Sequence, residues 1–164
     1  NLLLPLLKRS APARIVNLSS IALHLVAVSP LQMDNIPGYV AWIVYARTKL
    51  LLTAFTFALA RRLKDSGVTC NALHPGIIPG TNVTRAMWAR FQTTREEGAQ
   101  TIVDCCLNPD YAGLSGAYIS VDRVARANPQ ALSVHFQETL WKKSLAWCGL
   151  AENKQGEPAG KSGG

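Results

Sequence analysis

Between two short β-like runs, Arg14 to Ser19 (RIVNLS) and Val68 to Leu73 (VTCNAL), the chain carries one long stretch without Gly or Pro, Tyr39 to Asp65. That stretch is rich in Ala and Leu, follows the turn pair Pro37-Gly38, and closes with Arg61, Arg62 and Lys64 before Ser66-Gly67. Cations in a last turn and a glycine just beyond it are what a helix C-terminus favours. Its interior is apolar on most sides, so the helix is expected to be buried. Two strands joined by such a helix run parallel, because a parallel pair needs a long crossover. The expected fold is therefore α/β, with functional residues at the C-terminal ends of its strands.

The remaining elements fit one globular unit over residues 1–150. Residues 1–9 read as the end of an apolar helix, Thr84–Phe91 and Arg95–Leu107 as helices, Gly116–Val121 as a third strand, and Ala131–Trp147 as a final amphipathic helix. Residues 151–164 are polar and Gly-rich and are expected to form a flexible tail. A hydrophobic content of 48% over 164 residues excludes a disordered chain. The net charge of +7 comes from scattered Lys and Arg; it suits a solvated surface or an anionic cofactor and gives no sign of a nucleic-acid partner. Four cysteines without CxxC spacing indicate reduced thiols, and no metal site is expected. The apolar run Trp42 to Ala60 is long enough to cross a bilayer, but Arg47 and Lys49 lie inside it, each costing about 2.5–3.5 kcal/mol at a bilayer centre.

Three features carry chemistry. Tyr45 and Lys49 stand four apart on the buried helix, hence on one face. A lysine in an apolar helix needs compensation or a role, although one that snorkels beside an ordinary core tyrosine has the same spacing. Ser19-Ser20 closes the first strand and His74-Pro75-Gly76 closes the second. Taken singly, each also reads as plain turn chemistry.

Taken in order, these features resemble the C-terminal part of a short-chain dehydrogenase/reductase of the retinol-dehydrogenase-like and WW-domain-oxidoreductase-like group. The matching stretches are RIVNLSS (14–20), YARTK (45–49), LARRLKDSGVTCNALHPG (59–76), EGAQT (97–101) and GLSGAY (113–118). The resemblance implies a Rossmann-like doubly wound parallel sheet of which the N-terminal βαβ units are missing. It implies hydride transfer between NAD or NADP and a lipophilic alcohol or ketone, with Tyr45 as general acid/base and Lys49 as the cation that favours the phenolate and binds the nicotinamide ribose. Ser20 would steady the reacting oxygen, with Ser19 as its rival. Pro75, Gly76 and the Ile78 backbone would line the nicotinamide, Gly76 by allowing close approach.

Thr48 stands where the family often has Ser, and Thr81 falls one place later than the family's carboxamide-binding Thr. Met87, Trp88 and Phe91 would contribute to a substrate lid. The resemblance also implies a possible homodimer through helix 39–65 and a place in the cytoplasm or on the cytosolic face of an intracellular membrane, with membrane association depending on an upstream anchor. Nothing in residues 1–164 matches the family's Gly-rich TGxxxGxG turn, its Asn-Asn-Ala-Gly stretch or its catalytic Asn. The chain alone is therefore expected to bind dinucleotide poorly and to expose apolar strand edges. The alternative is a truncated, catalytically silent family member that acts through protein association.

Overall fold

The computed structural model describes residues 2–29, 33, 38–78 and 93–150. Its centre is a four-stranded sheet in the order β1 (Ala13–Leu18), β2 (Val68–His74), β3 (Tyr118–Ser120) and β4 (Arg123–Ala125). β1, β2 and β3 run parallel, and β4 returns antiparallel to β3. Asn17, Ala72 and Tyr118 are in register and so share one face, while Val16, Leu73 and Ile119 share layers with the other.

The first face is covered by α2 (Ala41–Arg62), whose Leu50, Ala54 and Phe57 pack with Ala72 and Tyr118. Asn17 of β1 is satisfied by a threonine of the same helix: its Nδ2 donates to Thr56 Oγ1 at 2.9 Å. The last turn of α2 is fixed by α5 (Val134–Trp147). Glu138 pairs with Arg61 and, at 2.6 Å, with Arg62, whose guanidinium lies 4.1 Å from the Trp141 ring. The opposite face carries α3 (Arg95–Leu107), where Cys105 and Ile102 meet Leu73 and Ile119. Arg14 of β1 reaches the Asn108 carbonyl at the end of α3, at 2.8 Å. Helices on both faces of a parallel sheet make this a three-layer α/β arrangement.

Several boundaries differ from the sequence reading for local reasons. The helix expected over 131–147 is two helices, α4 (Pro129–Leu132) and α5, because Ser133 turns extended and its hydroxyl accepts from Phe136 N–H as an N-cap. Residues Ile21–Leu25, which carried no expected element, form a 3₁₀ turn capped by Ser20. α1 (Leu4–Arg9) and α3 stand where they were expected, the third strand is shorter, and β4 is an addition. The helix expected over 84–91, the lid residues Met87, Trp88 and Phe91, and the tail 151–164 lie outside the described residues. α2 is long and apolar enough to cross a membrane, yet half of that window is buried within the protein. Among the described residues, β1 has β2 as its only strand neighbour.

Candidate functional site

The C-terminal ends of β1 and β2 and the first turns of α2 meet at one end of the sheet. Tyr45 stacks on Trp42, with ring centroids 5.7 Å apart. The Lys49 ammonium sits 5.5 Å from the Tyr45 ring centroid and donates to the Leu18 carbonyl at 2.8 Å. Lys49 thereby ties the end of β1 to the phenol, and a cation at that range over an aromatic face is attractive. Its partial burial pushes its pKa below the ordinary lysine value. Thr48, the departure from the family's Ser, donates its hydroxyl to the Tyr45 carbonyl at 2.7 Å, a bond that Ser can also make.

The two serines divide their work. Ser19 Oγ lies 2.7 Å from Thr53 Oγ1, inside the β1–α2 packing. Ser20 Oγ accepts from Ala22 N–H at 3.2 Å and begins the 3₁₀ turn. This engagement uses one Ser20 lone pair and leaves its proton available. Both serines are buried. Thr81 lies outside the described residues.

The Pro75–Ile78 segment leaves β2 with Gly76 at φ +104°. A Cβ on Gly76 would lie 2.2 Å from Thr93 Oγ1 and 2.7 Å from Thr93 Cβ. The glycine is therefore demanded by Thr93 and by the backbone. Just before it, His74 is buried beside His24, and burial with the neighbouring imidazole pushes its pKa down to about 4. His24 itself packs edge-on to Tyr118, centroids 5.9 Å apart. The sequence reading assigned no role to His24 or Trp42; their aromatic character next to Ser20 and Tyr45 was the available signal.

His74 makes acid a specific hazard to the fold. Its folded pKa is depressed, so above about pH 6.5 it is neutral in both states and costs nothing. As pH falls from there towards 4, the unfolded chain takes up a proton that the folded chain refuses, and stability drops by up to about 3 kcal/mol. Urea midpoints measured at about pH 7 and about pH 4.5 should fall less steeply in His74→Gln than in wild type. Equal slopes would remove His74 from that account.

A concavity of about 730 Å³, lined by Phe57, Leu63, Val68, Thr69, Leu132 and Gln137, lies at the other end, where α2 finishes and β2 begins. It shares no residue with the Tyr45–Lys49 group.

Comparison with known proteins agrees with this geometry. The chain is 37% identical over 158 residues to retinol dehydrogenase 12 of Bos taurus, covering 92% of this chain and 50% of that protein. It is 35% identical over 164 residues to the WW domain-containing oxidoreductase of Pongo abelii, covering 87% and 39%. The solved structure of NADPH-bound carbonyl reductase from chicken fatty liver superposes with a TM-score of 0.56 at 25% identity, over 74% of this chain and 48% of that one. The chain thus spans about half the length of the curated retinol dehydrogenases it matches. With residues 1–91 also matching the short chain dehydrogenase family, this chain belongs to the short-chain dehydrogenase family and is similar to its retinol dehydrogenases.

Proposed function

We propose that the whole protein is an NAD(P)-dependent oxidoreductase acting on a lipophilic alcohol or its carbonyl counterpart. The observation that carries this reading is the Lys49 ammonium, held between the Leu18 carbonyl and the Tyr45 ring. An ammonium has three N–H groups; Leu18 takes one, which leaves donors for the hydroxyls of a ribose. The residues present therefore fit a dinucleotide at this end of the sheet, with Pro75, Gly76 and the Ile78 backbone beside it. When bound, the dinucleotide supplies or accepts the hydride.

In the reductive direction, Tyr45 gives its hydroxyl proton to the substrate oxygen while Ser20 donates a hydrogen bond to the same oxygen. In oxidation the proton returns to Tyr45. Lys49 stabilises the negative charge that remains on the phenol oxygen after transfer. The lipophilic preference is supported by Ile21 and Leu25 on the 3₁₀ turn after Ser20 and by Tyr39, Val40 and Ile43 at the start of α2, all exposed. The 3₁₀ turn packs against α2 and follows Ser20 directly, and residues 39–43 come just before Tyr45 in the chain.

The test is isotopic. The whole protein is incubated with NADPH or NADH deuterated at the transferable position and with retinal, the carbonyl form of the alcohol in its relatives' names. Deuterium should appear on the carbinol carbon of the product. No transfer from either dinucleotide, with the protein folded, would sink the reading.

A further inference from the structure

We propose that Thr93 is a positioning residue that clasps the Pro75–Ile78 segment and so sets how tightly the dinucleotide is held. The inference rests on the reading that this segment lines the cofactor.

Three contacts join the segment to the start of α3. Thr93 N–H donates to the Ile77 carbonyl at 2.8 Å. The Thr93 side chain fills the place that a Cβ on Gly76 would occupy. One turn into α3, a Cβ on Gly98 would lie 2.7 Å from Ile78 Cδ1 and 3.4 Å from the Pro75 carbonyl oxygen. A glycine inside a helix costs about 1 kcal/mol relative to Ala, and here that cost accompanies a close approach of the helix to the segment.

The other side of the clasp is fixed. Thr94 caps α3 and exchanges two hydrogen bonds with Glu97, at 2.8 and 3.1 Å. Cys105 is buried against the sheet, and Arg14 holds the far end of the helix. Thr93 therefore stands on a rigid base, while Gly76 has the freest backbone of any residue type. Without a stop on its open side, Gly76 would sample more conformations, and the carbonyls and amides of residues 75–78 would lose their fixed presentation. A ligand that uses those groups would then have to bear the cost of ordering them on binding.

The test compares Thr93→Ala and Thr93→Ser in the whole protein. Alanine removes the hydroxyl and the methyl group, whereas serine keeps Oγ, the atom nearest to Gly76. Thr93→Ala should raise KM and Kd for the preferred dinucleotide about fivefold, with kcat within about twofold of wild type. Thr93→Ser should restore most of that loss. Hydrogen exchange at the Ile77 and Ile78 amides should quicken in Thr93→Ala and recover in Thr93→Ser. Unchanged exchange would show that no clasp exists. Faster exchange with unchanged Kd would show a clasp that does not serve the cofactor, and either result overturns the proposal. Wild-type protein that binds neither NADPH nor NADH would overturn the cofactor reading and this proposal together, while the exchange data would still report on the contact itself.

Discussion

Tyr45→Phe in the whole protein is expected to lower kcat by a factor of roughly 10² to 10⁴, the usual contribution of a positioned acid/base group. The substitution removes one oxygen and keeps the ring. Stacking on Trp42 and the approach of the Lys49 ammonium both use the ring, so both survive. Dinucleotide affinity should therefore change by less than about twofold, which separates loss of the proton donor from loss of the site. Lys49→Ala is the informative contrast. It removes the bond to the Leu18 carbonyl and the donors offered to a ribose, so kcat and dinucleotide affinity should fall together. Normal turnover in Tyr45→Phe would take Tyr45 out of the mechanism, whatever the fate of Lys49.

The βαβ frame was legible because its signals are local and periodic. A Gly- and Pro-free run ending in Arg61 and Arg62 could hardly be anything but a helix, and the flanking runs are β-branched and apolar. The pairing of Tyr45 with Lys49 was legible for the same reason, since helical geometry alone puts positions four apart on one face. The break at Ser133 is not legible in the sequence, because one hydroxyl does not interrupt an amphipathic pattern, although Ser is a favoured N-cap. The start of α3 is legible in the capping box Thr94-x-x-Glu97. The contacts at Gly76 and Gly98 were beyond reach. Each depends on a residue brought near by the tertiary fold, Thr93 in one case and Ile78 in the other, and no spacing rule in the sequence announces such a neighbour.

Gly76→Ala brings two separate penalties to one position. At φ +104° an L-residue lies outside the ordinary backbone regions, which costs about 1–3 kcal/mol when the surroundings enforce it. The added Cβ also overlaps Thr93 Oγ1 and Cβ at 2.2 and 2.7 Å. Relieving that overlap by moving packed atoms costs a further 1–3 kcal/mol or so. A destabilisation of about 2–6 kcal/mol is therefore expected, large against the stability of a typical domain. The two penalties separate in a double mutant. In a Thr93→Gly background the overlap disappears and only the backbone term remains, so adding Gly76→Ala should cost less than it does in wild type. Urea unfolding of the four variants gives the coupling directly. Strict additivity would mean that Thr93 does not press on Gly76, and the glycine would then be explained by its dihedral angle alone.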